Sequence, residues 1–316
     1  MKKKNLIMIL LIILVIIILG LVVYFLKQKE NSNDVNQSKQ NYYIFDRAIY
    51  EKLEEVNENT IKNNVKKINN IFENHLNNMN VYFSTIPSKE YYLDNENPVN
   101  NEFKYMENMI KSELNESIKY IEISDTLDLT NFYKTDMHWK QESLAKTVEK
   151  LEEEMNVEST ELEYEKETLG DFYGTYYKEL NDTTIGPDEL IYLTNSMIEN
   201  STVYNEEKNI QEPVYNLART EETNNKYDVF LSGATAIQEI ENKSINNGKK
   251  LIIFRDSFGS SIVPLLIKDY GEILLVDIRY VNSNLLSNYI DFNEYENQDV
   301  LFLYNSRVIN KSGIFR

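Results

Sequence analysis

The chain has 316 residues, with 33 Lys and Arg against 51 Asp and Glu, and a formal net charge of -18. With 9 Gly, 5 Pro, no Cys and a hydrophobic content of 42%, it excludes collagen-like, disulfide-stapled, zinc-thiolate and thiol-nucleophile designs while allowing a packed core. So acidic a balance also argues against a nucleic-acid binder, which needs a basic face to release counterions from phosphates.

Leu6 to Leu26 is an apolar run without a charge, and about 20 helical residues at ~1.5 Å each cross a bilayer core. Residues 1–29 are therefore expected to be an N-terminal signal anchor. A cleaved signal peptide is the alternative, but its apolar region is usually ~7–15 residues and is followed by a small-residue cleavage site, which is missing here. Lys2, Lys3 and Lys4 precede the run and Lys27 and Lys29 follow it, a weak bias toward a cytoplasmic N-terminus. The expectation is a single-pass protein of the cell membrane whose C-terminal domain is extracytoplasmic. Residues 30–41 are polar and read as a tether. Leaving out the five Lys of residues 1–29, a segment without acids, takes the rest from -18 to -23. Such a body repels phosphate-rich polymers but not a neutral glycan.

From residue 42 onward, helical and extended patterns alternate. Ile61, Val65, Ile68, Phe72, Leu76 and Met79 recur at steps of three and four and predict a helix over residues 60–78, with His75 on its flank as a surface or packed histidine. Short β-branched and aromatic runs predict strands at 81–87, 120–123, 227–231, 251–254, 273–276 and 300–304. Helices are predicted at 102–117, 141–155, 260–270 and 283–289. Residues 158–226 lack a clear period and are expected to be a loop-rich insertion over one rim. The alternation predicts an α/β fold with a mostly parallel sheet covered on both faces.

Two motifs carry chemistry. In TDMHW, Thr135 to Trp139, Asp136 and His138 lie two apart, so the carboxylate can reach the imidazole, fix its tautomer and leave the other ring nitrogen for a hydroxyl. The same spacing also occurs at turns and caps, and two ligands without a third are too few for a metal site. In LIIFRDSFGSSIVPLLIKDY, Leu251 to Tyr270, a buried strand passes through a polar turn into an apolar helix, which exposes Ser257 beside free helix amides. Those amides can hold an oxyanion. Equally, Asp256, Ser257, Ser260 and Ser261 are residue types that cap helices.

Together the two motifs resemble the DHHW family, named for an Asp-His-His-Trp motif, and through it the SGNH-type polysaccharide O-acetyltransferases of alginate and related pathways. YFSTIPSK (Tyr82 to Lys89), DFYGTYY (Asp171 to Tyr177), YDVFLSG (Tyr227 to Gly233) and VDIRY (Val276 to Tyr280) look like family blocks in the expected order. The resemblance implies a three-layer SGNH-hydrolase-like fold over residues 42–316, with Ser257 as nucleophile, His138 as base and Asp136 as its partner. It implies acetyl transfer to an exported polysaccharide without a cofactor or metal, and a multi-pass membrane-bound O-acyltransferase as acetyl source. Met137 stands where the family name puts its first His, and Ala234 stands where a Gly-Gly-Asn-like block is expected, leaving Gly233 as an oxyanion donor. Arg255, Phe258, Arg279 and Trp139 are further oxyanion or substrate candidates, and Lys89 is another cation near a strand end. An SGNH esterase, and a non-catalytic glycan-binding or scaffold module with a decayed site, are the alternatives.

Overall fold

The structure is a computed structural model that describes residues 17, 19, 20, 41–93 and 98–316. The expected anchor and tether lie outside the described residues except at positions 17, 19, 20 and 41. Among the described residues no helix is long and apolar enough to cross a membrane.

The described body opens with a hairpin of β1 (Tyr42–Phe45) and β2 (Ala48–Glu51), whose turn residues Asp46 and Arg47 both take positive φ, as a type I′ turn requires. Helix α1 (Glu58–Ile71) starts where the Asn57 side chain accepts from the Thr60 amide. Its expected stripe of Ile61, Val65 and Ile68 is buried, and a π-helical turn, Phe72–Leu76, continues it. Then come β3 (Asn80–Ile86), α2 (Pro98–Glu113), β4 (Lys119–Tyr120), α3 (Ala145–Glu154), β5 (Glu165–Phe172), α4 (Thr175–Leu180), β6 (Asp188–Thr194), β7 (Thr202–Asn205), β8 (Ile210–Pro213), β9 (Ile237–Glu241), β10 (Lys250–Arg255), α5 (Gly259–Leu266), β11 (Glu272–Val276) and β12 (Asp299–Asn305).

Eight strands form one sheet in the order β4-β3-β12-β10-β11-β9-β7-β8. Pairing is parallel from β4 to β11 and antiparallel from β11 to β8. The expected parallel sheet is thus present but finishes in three antiparallel strands. The β7–β8 link of residues 206–209 is far too short for a crossover, so those two strands can only run antiparallel. Along β10, Leu251 and Ile253 pack with Val148, Leu151 and Ile262 of α3 and α5, while Ile252 and Phe254 pack with Ile61, Val65, Phe103 and Ile110 of α1 and α2. Burial on both faces explains why this strand reads as an unbroken apolar run.

The structure departs from the sequence expectations in six places. Residues 227–231 do not form a strand: Asn225 accepts from the Tyr227 amide to start a 3-10 turn, Lys226–Val229, and Leu231, Ser232 and Gly233 then take positive φ in succession. The apolar side chains there serve a small separate core, in which Tyr227, Val229 and Phe230 pack with Tyr133, Phe172 and Leu190. Of 120–123 only Tyr120 is in a strand, with Lys119. Residues 141–143 and 283–288 are 3-10 turns rather than α-helix, and α5 stops at Leu266. Residues 158–226 hold four strands, of which β5 and β6 form a separate hairpin sheet and β7 and β8 extend the main one.

Candidate active site

The TDMHW segment is a narrow loop pinched at its base. Phe132 and Trp139 bridge across it, Tyr133 N donates to His138 O at 3.1 Å, and Lys140 N donates to Asn131 O at 2.7 Å. Inside it, the Asp136 carboxylate is buried and fully used. Oδ1 accepts from His138 Nδ1 at 2.5 Å and from the His138 amide at 2.9 Å, and Oδ2 accepts from the Thr175 amide at 2.6 Å. Burial alone pushes its carboxyl pKa up, but the charge and hydrogen bonds of His138, with the Thr175 and His138 amides, outweigh that and hold it well below the ordinary carboxylate range. The side chain therefore stays ionised and fixes Nδ1 of His138 as the protonated nitrogen.

The other ring nitrogen, Nε2, lies 2.8 Å from Ser257 Oγ, 119 residues further along the chain. The imidazole is stacked on Tyr227 with ring centroids 4.0 Å apart and leans on Phe258 at 4.7 Å. Ser257 sits in the turn between β10 and α5, at the carboxyl end of the sheet. Asp256 shapes that turn: its carboxylate accepts from the Phe258 amide at 2.9 Å and from the Asn305 amide at 2.7 Å. Among the described residues the Ser257 amide donates to no protein acceptor, so it is the free donor nearest the hydroxyl, where charge develops when an acyl carbon is attacked.

The remaining candidates take different places. The Gly233 amide donates to Phe230 O at 3.1 Å within its own turn, which removes it as a ready oxyanion donor. Its positive φ and an Asp228 carboxyl carbon 2.9 Å from where a Cβ would sit favour glycine there. Ala234 is exposed and Met137 is half-buried. Phe258 is buried against the imidazole and its amide is spent on Asp256. Trp139 is buried and donates to Phe258 O at 3.1 Å and Ser261 Oγ at 2.9 Å, tying loop to turn. Arg255 is buried, and its guanidinium donates to Ser260 Oγ at 2.9 Å and Gln238 Oε1 at 3.1 Å, bracing the turn rather than facing substrate. Arg279 pairs with Asp277 at 2.6 Å. His75 stacks on Phe292 at 4.7 Å, away from the other histidine.

Lys89, the cation just beyond β3, has a structural place. It is buried and donates to the carbonyls of Asp136 (2.8 Å), Tyr133 (3.0 Å) and Lys134 (3.3 Å) while lying over the rings of Tyr176 and Tyr50. Burial pushes its ammonium down to about 8. Asp188 holds the same loop by accepting from the Lys134 and Thr135 amides at 2.9 and 2.8 Å. Gly174 lets α4 approach, since a Cβ there would lie 2.3 Å from Asp136 Cβ. The roles of Lys89, Asp188 and Gly174 escape a reading by spacing; the DFYGTYY block marked the right neighbourhood for Gly174 and Thr175, and nothing in the sequence marks Asp188. Among the described residues no group of three His, Cys, Asp or Glu side chains gathers into a metal site.

A serine, an imidazole and a carboxylate in hydrogen-bonded series thus lie at the carboxyl rim of the large central sheet of a mixed α/β protein. The chain belongs to the DHHW family, whose model, described as DHHW protein, matches residues 31–276. Here that motif reads Asp136-Met137-His138-Trp139. Among solved structures the chain is similar to a DHHW family protein from Eubacterium siraeum, with a TM-score of 0.70 at 23% identity over 86% of this chain and 92% of that one. It is similar also to PatB1 of Bacillus cereus, with a TM-score of 0.66 at 18% identity over 87% and 98%. The O-acetyltransferase domain of Pseudomonas putida AlgJ gives 0.51 at 12% identity over 86% and 93%. Identities this low establish the shared fold. No curated protein matches by sequence.

Proposed function

We propose that the protein is a serine-dependent O-acyltransferase that moves an acetyl group onto a hydroxyl of an exported polysaccharide. The observation that carries the proposal is the unbroken path from Asp136 through His138 to Ser257, with bonds of 2.5 and 2.8 Å. In the first half-reaction His138 Nε2 takes the Ser257 proton as Oγ attacks the acyl carbon of a donor ester, the Ser257 amide meets the developing oxyanion, and Asp136 stabilises the imidazolium. The imidazolium then protonates the departing donor oxygen. In the second half-reaction a sugar hydroxyl gives its proton to Nε2 and displaces Ser257. The likeness in fold to an O-acetyltransferase domain supports this over unrelated serine chemistry.

The apolar run of residues 6–26 supports a membrane anchor with the catalytic body outside the cell. No acetyl-coenzyme A is at hand there, so the donor is a partner, a multi-pass membrane-bound O-acyltransferase. A fluorophosphonate probe applied to the full-length protein in membranes tests the chemistry. Labelling that vanishes in Ser257→Ala and falls steeply in His138→Ala is expected, and wild-type protein that stays unlabelled sinks the proposal. Acetyl passing from p-nitrophenyl acetate to water alone, whatever oligosaccharide is added, would make it an esterase.

A further inference from the structure

A cavity of about 290 Å³ that no step above employs lies beside the relay. Part of its lining follows strands near β10: Ser306 follows β12 and Arg279 follows β11, the two neighbours of β10, and Ser88 follows β3, on the far side of β12. Met137, the residue between Asp136 and His138, lines it as well, so cavity and relay share a wall. Open α/β sheets bind their ligands at this rim, and the volume is at the lower end of the ~300–1,000 Å³ of small-molecule sites.

The walls are mostly apolar, with Val56, Phe103, Met106, Val308 and Ile314 among them. Three carboxylates (Glu51, Glu54, Glu102) and three cations (Arg279, Arg307, Lys311) also line it. Both guanidinium groups are already neutralised. Arg279 pairs with Asp277 at 2.6 Å, and Arg307 pairs with Glu51 at 2.9 Å and Glu90 at 3.1 Å. An anionic sugar chain would find no free arginine here, only the exposed Lys311 at the wall, and would have to approach a body that is strongly negative overall. A neutral sugar finds an apolar wall for its C–H face and, in Ser88 and Ser306, two hydroxyls that hydrogen-bond each other at 2.9 Å and keep between them one proton and spare lone pairs for it.

We infer that this cavity is the acceptor subsite and that it takes a neutral sugar unit, held with one hydroxyl directed at the acyl carbon on Ser257. The inference rests on the acyltransferase reading and names the class of its acceptor. In the transfer step the bond from the sugar oxygen to the acyl carbon forms and the bond from Ser257 Oγ to that carbon breaks. The sugar proton passes to His138 Nε2 and from there to the leaving Oγ.

The test is binding, measured by calorimetry on full-length Ser257→Ala protein in detergent, which cannot turn over. The probes are neutral hexamers of glucose, mannose, galactose and N-acetylhexosamine, with hexagalacturonate as the anion. Saturable binding of at least one neutral hexamer, tighter than hexagalacturonate, is expected. A charge placed on the half-buried wall by Val308→Asp should weaken it about tenfold or more, while the near-isosteric Val308→Thr should keep most of it. Preference for hexagalacturonate, binding of no neutral hexamer at millimolar concentration, or equal binding by a Val308→Asp protein that melts normally overturns the inference. Fluorophosphonate labelling of wild-type Ser257 needs no acceptor, so a failure of the acyl chemistry itself is read separately.

Discussion

The two segments that meet at the site are built in opposite ways. The turn carrying Ser257 is largely made by its own residues: Asp256 accepts from the Phe258 amide, Gly259 N donates to Asp256 O at 3.1 Å, and Arg255 reaches Ser260. The loop carrying Asp136 and His138 depends on remote parts of the chain. Lys89 is 47 residues before Asp136, Thr175 is 39 after it, and Asp188 lies 53 beyond Thr135. The hydroxyl is thus placed mainly by local structure and the imidazole mainly by tertiary structure, so distant substitutions should displace the His138 ring before they displace the Ser257 hydroxyl.

The largest effect expected on the loop side is Asp136→Asn, which leaves the shape but loses the charge that sets the tautomer, at a cost of about 10⁴-fold in kcat. Its carboxyl pKa is depressed in the folded state, so the stability it contributes is present above the unfolded carboxylate value and is lost as pH falls below it. Denaturant melts from pH 7 to pH 3 should therefore fall more steeply for wild type than for Asp136→Asn, and parallel curves would refute that reading.

Matched glycine substitutions compare the two segments directly. In Gly174→Ala the new methyl carbon would meet Asp136 Cβ at 2.3 Å and Oδ2 at 2.6 Å, displacing the loop. A shift of about 1 Å costs on the order of 10² in rate. In Gly259→Ala the carbon meets the Arg255 Cβ at 2.8 Å, behind the turn, so stability should suffer more than rate. Kinetics and melting temperatures of both variants check the contrast, and equal loss of kcat in the two would erase it.

Lys89→Met should remove the ties to three carbonyls, lowering stability by about 1–3 kcal/mol for each buried acceptor left unpaired and kcat about tenfold through the loop. Because burial lowers the Lys89 pKa from 10.5 to about 8, the unfolded chain binds more protons between those values, and this group makes stability rise with pH across that window. The gap between wild type and Lys89→Met should accordingly widen from pH 7 to pH 10. A gap that narrows instead would mean the ammonium is not buried in solution.

Smallest is Tyr227→Phe. It keeps the ring under His138 but deletes the hydroxyl that donates to Ser261 Oγ at 2.9 Å, for about 1 kcal/mol of stability and little change in rate. A large kinetic loss would show that the hydroxyl does more than brace the ring.

How much of this was legible follows the same division. Strands β3, β10, β11 and β12 are buried on both faces, so each reads as a dense apolar run, and the polar turn after β10 stands out against it. By contrast β8 at the edge and β7 beside it are short strands with polar, partly exposed residues and leave almost no period. Residues 227–231 mislead because aromatic and β-branched side chains can fill a minor core as readily as a sheet. The Asp-x-His pair is visible as spacing. Its supports are not, since a buried lysine on three carbonyls and a glycine against a carboxylate acquire meaning only when residues tens of positions apart are brought together.

The chain contains a single tryptophan, Trp139, and its indole N–H spans the seam between loop and turn. Its intrinsic fluorescence is consequently a built-in gauge of docking: a blue-shifted emission marks the seam closed and a red shift marks water entering it. Unlabelled protein can therefore report, in real time and without any substrate, whether the imidazole has been brought to the serine hydroxyl.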